Sequence, residues 1–187
     1  MPLSEKQLDQ LFKPINPKRI KKNPQGYSHL EEWDVEAHLT RIFGFLGWDK
    51  EVTYGLIFED EPTPKRWTVA YHAHCRLTVR DADGTDRAVK EDAATGTGTN
   101  QPSRAAAHDL AIKDAVSSAV KRAAKALGNQ FGLSLYDDGS QRSVVGTSLA
   151  YPVQEEEPPV TLPEDVGPKV AEIRDELLGE RDTPVLP

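Results

Sequence analysis

The stretch from residue 103 to residue 139 limits the possible folds of this chain more than any other. On a helical wheel of about 100° per residue, its small and branched apolar residues share one face: Ile112, Val116, Ala119, Val120, Ala123 and Leu127. The opposite face carries hydroxyl and basic side chains: Ser117, Ser118, Lys121, Arg122 and Lys125. We therefore expect a helix of about 25 residues, roughly 37 Å long, that packs through one side. On periodicity alone, the cationic side is most often ordinary solvated surface.

The residues before this helix follow the period of two that is typical of β-strands. At residues 66–80, apolar residues alternate with polar or small ones, which predicts a strand with one buried face: Trp67, Val69, Tyr71, Ala73, Cys75, Leu77 and Val79. A shorter alternation at residues 52–58 predicts an earlier strand, and the hairpin signal Asp83-Gly84 leads into a third strand at residues 85–92. We therefore expect an α+β fold, in which an antiparallel β-meander packs on the long helix as a β-β-β-α core.

Two shorter helices are expected to flank this core. Ser4 and Gln7 have the spacing of a capping box at the start of the first helix. Asp34 is expected to cap the second helix and Gly47 to end it, with a core face formed by its apolar residues: Val35, Leu39, Ile42, Phe43 and Leu46. The small residues 93–102 lack the Gly-Lys-Ser/Thr ending of a phosphate-binding loop, and we expect a flexible loop that leads to the long helix.

Charge is distributed unevenly along the chain, whose formal net charge is −7. Residues 141–187 contain 10 acidic and 4 basic residues and half of the prolines, whereas the first 140 residues contain 20 acidic and 19 basic ones. Few apolar residues and many like charges favour disorder. We therefore predict an ordered domain at residues 1–143 and an acidic, proline-rich, largely disordered tail at residues 144–187. Within the tail, residues 170–178 have the pattern of a short amphipathic helix.

Composition and spacing argue against an active site or a metal centre. Cys75 is the only cysteine, which excludes an intrachain disulfide and a four-cysteine zinc site. His72 and His74 share a strand face, but no third ligand accompanies them, so we expect surface histidines. The acidic residues 59–61 belong to a predicted turn at residues 59–64 and do not indicate a nuclease site. Without a signal sequence or a membrane-length apolar run, we expect a soluble, cytosolic protein that is not an enzyme and needs no cofactor.

Basic residues form three sets in the predicted fold. In chain order they are Lys18, Arg19, Lys21 and Lys22; Arg66, Arg76 and Arg80; and Lys121, Arg122 and Lys125. The rings of Tyr27 and His29 follow the first set. Binding of a nucleic-acid single strand requires cations repeated along the phosphates and rings on which bases stack. The three sets therefore predict nucleic-acid binding, and the alternative is an adaptor whose basic face docks an acidic protein partner.

Four segments resemble the Rad52/Rad22 family of single-strand annealing proteins, and the similarity runs from about residue 4 to residue 139. They are LEEWDVEAHLTRIFGFLGW, WTVAYHAHCRLTVRDADGT, EDAATGTG and KDAVSSAVKRAAKALGNQFGLSLYDD, of which the last is the most specific. The resemblance implies that residues 1–143 bind single-stranded DNA and oligomerise into a ring or an open helical arc. It also implies that the DNA lies in a continuous positive groove. There, complementary strands would anneal in recombination and double-strand break repair without ATP, metal or covalent chemistry.

The same resemblance assigns DNA-binding roles to particular residues. Lys121 and Arg122 match the family's basic pair at the floor of the groove. Lys125 follows this pair by about one helical turn, and Lys113 precedes it by about two turns. Arg19 falls where the family has a groove-lining arginine. The resemblance therefore implies that these five side chains bind DNA, with phosphates held by Arg19, Lys121, Arg122 and Lys125.

Other positions extend or depart from the family pattern. Arg66 lies near a basic position that serves a second, outer DNA site, and Arg104 is a looser candidate for that site. His29 stands where many members have tyrosine, so stacking of a base on this ring is left open. The acidic tail replaces the long C-terminal region of eukaryotic members, which suggests a bacterial or phage form that lies in the cytoplasm with the nucleoid. The tail is expected to bind a single-strand-binding protein or another recombination protein, or to compete with DNA.

Overall fold

The computed structural model describes residues 3–23, 26–81, 84, 87–135 and 139–146. Its helices and strands are, in chain order, α1 (Glu5–Phe12), β1 (Lys21–Lys22), β2 (Ser28–His29), α2 (Glu32–Phe43), β3 (Trp48–Thr63), β4 (Arg66–Arg80), β5 (Arg87–Gln101) and α3 (Arg104–Lys125). Short 3-10 turns lie at Pro17–Arg19 and Asn129–Phe131. β3, β4 and β5 form an antiparallel sheet in that order, and α3 packs mainly on β4 and β5. The predicted α+β class and the meander packed on a long helix are confirmed.

The described residues belong to a structural unit at residues 1–149, and a second unit at residues 150–187 lies outside them. The predicted tail is therefore described only at residues 144–146, where the amides of Val144 and Val145 donate to Asn129 Oδ1 at 2.9 and 3.1 Å. The predicted boundary at residue 143 and the helix at residues 170–178 stay predictions. Asp83 of the predicted hairpin turn also lies outside the described residues. No helix in the described part is long and apolar enough to cross a bilayer.

The prediction of a flexible loop at residues 93–102 is wrong, because β5 continues through most of this segment. α3 lies very close above it. A Cβ atom added at Gly96 would come within 2.2 Å of the Ala115 nitrogen, and one added at Gly98 within 2.2 Å of the Ala107 carbonyl oxygen. The glycines therefore do not form a turn. They give the helix room to approach the strand.

α3 turns a face of small residues toward the sheet. Ser103 caps its start, where the hydroxyl accepts a hydrogen bond from the Ala106 amide at 3.2 Å. The buried residues of the helix are Ala107, Ala111, Ala115, Ala119, Val120, Ala123 and Ala124. Ile112 and Val116, the centre of the predicted apolar face, are only partly buried, so the buried face is turned toward Ala111 and Ala115. Most of these residues are alanine, whose small side chain suits the close approach of α3 to β5.

β4 has the predicted bounds, and its alternating apolar residues are buried under α3 and α2: Val69, Ala73, Cys75, Leu77 and Val79. β3 is longer than predicted and continues through the acidic residues 59–61, so the predicted turn there is wrong. Pairing with β4 keeps these residues extended, with Glu59 opposite Val69. The chain reverses instead at residues 64–65, where Lys65 has a φ of 62°.

α1 begins with the predicted capping box, whereas α2 begins and ends earlier than predicted. Asp34 is not the cap of α2. It lies in the first turn, where its buried carboxylate binds Arg19. The helix ends at Gly44, which has a φ of 86°, and not at Gly47. Leu46 consequently lies in the loop after the helix and is 90% exposed, so its assignment to the core is wrong.

Candidate nucleic-acid interface

A cleft of about 950 Å³ opens along one side of α3. The β1–β2 hairpin forms one wall, the middle of β5 another, and the C-terminal half of α3 the floor. The lining includes Asn23, Tyr27, Ser28 and His29 from the hairpin, Ala94 and Thr95 from β5, and Asp114, Ser118, Lys121, Arg122 and Lys125 from α3. A wall that carries rings therefore faces a floor that carries cations.

The floor brings together three of the predicted DNA-binding residues. Lys121, Arg122 and Lys125 lie within about one turn of α3, and all three line the cleft. Lys121 forms no ion pair with any residue that the structure describes. Arg122 donates from Nε to Asp92 Oδ1 at 3.1 Å, and Lys125 Nζ lies 3.8 Å from Asp92 Oδ2. The floor can therefore attract an anion with more than one positive charge at short range.

Asp92 supports this floor from β5 and is not part of the cleft lining. Its Oδ1 also accepts a hydrogen bond from the Ala93 amide at 2.8 Å. Burial by itself raises the pKa of Asp92, but the Ala93 amide and the Arg122 guanidinium outweigh burial and hold this pKa below its usual range. Asp92 is consequently ionised at neutral pH and gives Arg122 a constant partner.

Asp114 is an acidic residue of the lining itself. Its Oδ2 accepts from the Thr97 amide at 3.3 Å, and its Oδ1 accepts from the Ser118 hydroxyl at 3.4 Å. These bonds hold a negative charge beside the cations of the floor. An anionic ligand in the cleft would therefore meet both attraction from the floor and repulsion from Asp114.

Tyr27 is the most exposed ring of the opposite wall, with 72% of its surface accessible. Its amide donates to Asn23 Oδ1 at 2.8 Å, and the Asn23 amide donates to the Tyr27 carbonyl oxygen at 3.0 Å. These two bonds fix the backbone that carries the ring. His29 lines the same cleft, with Nε2 at 3.5 Å from a carboxylate oxygen of Glu31. An exposed ring across from a row of cations is the arrangement on which bases stack while phosphates are held.

Arg19 lies outside the cleft lining and is buried, with a side chain 9% exposed. Its Nε and Nη2 atoms each lie 2.9 Å from Asp34 Oδ2, and Nη1 donates to Gln130 Oε1 at 2.9 Å. Gln130 in turn donates to the carbonyl oxygens of Lys13 and Pro14. The guanidinium therefore links α2 to the segments after α1 and α3. Its predicted contact with a phosphate stays a prediction.

The other predicted residues also lie outside the lining. Lys113 is exposed on α3 and pairs with Asp109 at 2.7 Å. Arg104 begins α3, and its Nε lies 2.5 Å from Glu59 Oε1. Arg66 is exposed at the far end of β4 and forms no ion pair within the described ranges. Because Arg104 and Arg66 stand near the β3–β4 turn, they are separate from the cations of the cleft.

Sequence reasoning did not single out Asp92 and Asp114, although both had usable signals. Asp92 pairs with Cys75 across the ladder, so strand alternation places it on the side of β5 that faces α3. Asp114 precedes Lys121 by seven residues, which is two helical turns, so the two residues lie on the same face of α3.

In the described ranges, no group of three or more His, Cys, Asp or Glu residues is placed to hold a metal ion.

The fold and the cleft define a class of protein, an α+β domain in which a long helix on a three-stranded sheet carries a cationic cleft. The family model described as "Rad52/22 family double-strand break repair protein" matches residues 4–152. The chain therefore belongs to the Rad52/Rad22 family, and the resemblance in its sequence is confirmed.

Three fungal proteins illustrate the relationship. The DNA repair and recombination protein RAD52 of Eremothecium gossypii is 33% identical over 120 residues, which cover 64% of this chain and 26% of that protein. RAD52 of Saccharomyces cerevisiae is 34% identical over 121 residues, or 64% of this chain and 24% of that protein. DNA repair and recombination protein rad22 of Schizosaccharomyces pombe is 30% identical over 125 residues, or 65% and 26%. The chain spans about a quarter of these relatives, and they give no support to a bacterial or phage origin.

Proposed function

We propose that this chain binds single-stranded DNA in the cleft and anneals complementary strands during recombination and double-strand break repair. The observation that carries the proposal is the ring of Tyr27 across the cleft from Lys121, Arg122 and Lys125. In this arrangement the cations hold consecutive phosphates while the ring stacks on a base. The names of the fungal relatives, which are DNA repair and recombination proteins, support the same role.

The proposed binding does not depend on base sequence. Lysine and arginine ends reach phosphate oxygens, and a tyrosine ring stacks on any base, so no group of the site needs to read a base edge. A strand held by its backbone keeps its bases available to a complementary strand. Annealing then requires neither ATP hydrolysis nor a cofactor, and we propose that the protein is not an enzyme.

We further propose that the protein works as a homo-oligomer, either a ring or an open helical arc. One cleft carries few cations, and linking many clefts along one strand raises the overall affinity without new contacts. Two groups of neighbouring exposed apolar side chains in the described part of the chain support self-association. Phe45 and Leu46 are about nine-tenths exposed in the loop after α2, and Leu56, Ile57 and Phe58 are about half exposed on β3. Light scattering of the purified chain tests the proposed state, and a monomer at all concentrations would contradict it.

Arg66 and Arg104 form the proposed second DNA site. Arg66 offers an exposed guanidinium without an ion pair in the described part of the chain, whereas Arg104 must share its charge with Glu59. We therefore expect Arg66 to be the stronger contact of the two.

The acidic tail is proposed to bind a single-strand-binding protein or another recombination protein. The proposed location is the cytoplasm of a bacterium or of a phage-infected cell, with the nucleoid.

The test of the main proposal is fluorescence anisotropy with a dye-labelled oligo(dT). Lys121→Ala/Arg122→Ala is expected to weaken binding about tenfold and to reduce the slope of log K against log salt by about 1.4, since each phosphate contact on a single strand contributes about 0.7. The matched control is Arg76→Ala/Arg80→Ala. These two cations belong to the second basic set, but they pair with Glu91 and Asp49 and lie outside the cleft lining, so their removal is expected to change binding little. Equal affinity of the first variant and the wild type would overturn the cleft assignment. Binding of an acidic protein with no binding of oligo(dT) would favour the adaptor alternative.

A further inference from the structure

Asp92 stands out because it binds a cation of the cleft from outside the cleft. It lies on the helix-facing side of β5, opposite Cys75 in the ladder, and its carboxylate reaches up to Arg122 on α3. The Ala93 amide, at 2.8 Å from Oδ1, fixes the orientation of this carboxylate. Asp92 is thus an oriented acceptor beneath the floor that the proposed function assigns to phosphates.

The contact uses only one of the donor atoms of Arg122. Nε donates to Asp92 Oδ1 at 3.1 Å, and neither Nη1 nor Nη2 bonds to a residue that the structure describes. Arg122 is 49% exposed and lines the cleft, so the two Nη atoms remain accessible to a ligand there. A guanidinium fixed at Nε presents a planar pair of nitrogens, which matches two oxygens of a phosphate.

We propose that Asp92 is a positioning residue for DNA binding, which acts by holding the Arg122 fork toward the phosphate backbone. This inference rests on the proposed function of the cleft. A long arginine side chain loses rotational freedom when it binds a phosphate, and an existing bond at Nε removes part of that loss in advance. Asp92 therefore strengthens binding although its own charge is negative.

Asp114 supplies the opposite case on the same cleft. Its carboxylate belongs to the lining and bonds to Thr97 and Ser118, and it binds no cation of the floor among the described residues. Removal of its charge relieves repulsion of the phosphates and disturbs no arginine. Neutralising Asp92 is consequently expected to weaken DNA binding and neutralising Asp114 to strengthen it, whereas a simple charge argument predicts tighter binding in both cases.

The experiment measures the affinity of dye-labelled oligo(dT) for Asp92→Asn, Asp114→Asn and Glu91→Gln. Glu91 is the matched control, because it neighbours Asp92 but pairs with Arg76 on the other face of the sheet. Asp92→Asn is expected to bind about threefold more weakly than the control, as expected for a half-exposed ion pair. Asp114→Asn is expected to bind about twofold more tightly than the control. Binding by Asp92→Asn as tight as that of Glu91→Gln, or tighter, would overturn the inference.

A double-mutant cycle separates positioning from a merely structural role. In an Arg122→Ala background, the loss of affinity caused by Asp92→Asn is expected to shrink to the small part that Lys125 carries, whose Nζ lies 3.8 Å from Asp92 Oδ2. An equal loss in both backgrounds would overturn the inference. Asp92→Ser provides a second variant, and urea unfolding of each protein verifies that it is folded. Failure of Lys121→Ala/Arg122→Ala to weaken binding overturns the proposed function itself, whereas a failure confined to Asp92 leaves that function standing.

Discussion

Two arginine–aspartate pairs of this molecule have the same chemistry in opposite surroundings. In the pair of Arg19 and Asp34, both side chains are 9% exposed and the guanidinium also binds Gln130. In the pair of Arg122 and Asp92, the side chains are 49% and 25% exposed, and only Nε of the arginine is engaged. Burial shields the first pair from solvent, whereas the second leaves two nitrogens open to the cleft.

Burial therefore separates what the two arginines contribute to folding, while the contact of Arg19 with a phosphate stays a prediction. Removing one partner of a buried pair leaves an uncompensated charge in the core, which is strongly destabilising. Removing one partner of an exposed pair changes stability little, since water replaces the contact. We therefore expect substitutions of Arg19 to act on folding and substitutions of Arg122 to act on binding.

The largest expected effect is that of Arg19→Ala on stability. This change leaves the Asp34 carboxylate buried without its cation and is expected to lower the free energy of unfolding by about 3 kcal/mol. Arg122→Ala, the matched exposed change, is expected to lower it by less than about 1 kcal/mol. Urea unfolding followed by tryptophan fluorescence measures both values.

Two outcomes would contradict the different roles expected for Arg19 and Arg122. Equal unfolding free energies for Arg19→Ala and Arg122→Ala would show that burial does not separate the pairs. A folded Arg19→Ala protein that has lost oligo(dT) binding as fully as Lys121→Ala/Arg122→Ala would assign Arg19 to phosphate binding. The double change Arg19→Met/Asp34→Leu removes both charges together and is expected to recover most of the stability.

The position of the cleft floor depends on how closely α3 packs on the glycines of β5. Gly96→Ala places a Cβ within 2.2 Å of the Ala115 backbone nitrogen, so the helix must move. We expect a loss of about 2 kcal/mol in unfolding free energy and weaker oligo(dT) binding. Gly55→Ala is the control, since its nearest neighbour is the end of the His72 side chain at 2.6 Å, which can rotate away. Equal unfolding free energies of the two variants would contradict the role of Gly96 in the close packing of α3 on β5.

Periodicity predicted most elements of the fold and the packing of the sheet on α3. It did not predict the contacts between individual residues of different elements. The alternation of β4 was sufficient for its bounds, because each buried side chain there follows from the period of two. The glycines of β5 suggested a loop, because the reason for them is the close approach of α3, a tertiary contact that periodicity does not reveal. The basic floor of the cleft, by contrast, could be predicted, because its cations share one face of a single helix. The burial of Arg19 could not, because Asp34 and Gln130 meet it only in the folded chain.

The smallest expected effect is a pH dependence of stability just below neutral pH, which comes from His38 beside the buried pair. His38 lies against this pair, with Nδ1 at 3.1 Å from the Asp34 carbonyl oxygen and Nε2 at 3.1 Å from Arg41 Nη1. Since Arg41 can only donate, Nε2 is the unprotonated nitrogen, and protonation there would break this bond. Burial, followed by the charge of Arg19, holds the pKa of His38 below its ordinary value of 6.5, whereas the bond to Asp34 opposes the change.

The sign of the effect follows from this lowered pKa. The unfolded chain binds a proton at His38 more readily than the folded chain, so stability is fully present above pH 6.5 and declines as the pH falls toward the folded pKa. Unfolding midpoints in urea at pH 7.5 and at successively lower pH measure the decline. His38→Gln is expected to flatten this decline. A decline that His38→Gln does not alter would mean that groups other than His38 carry it, which would contradict the role assigned to this histidine.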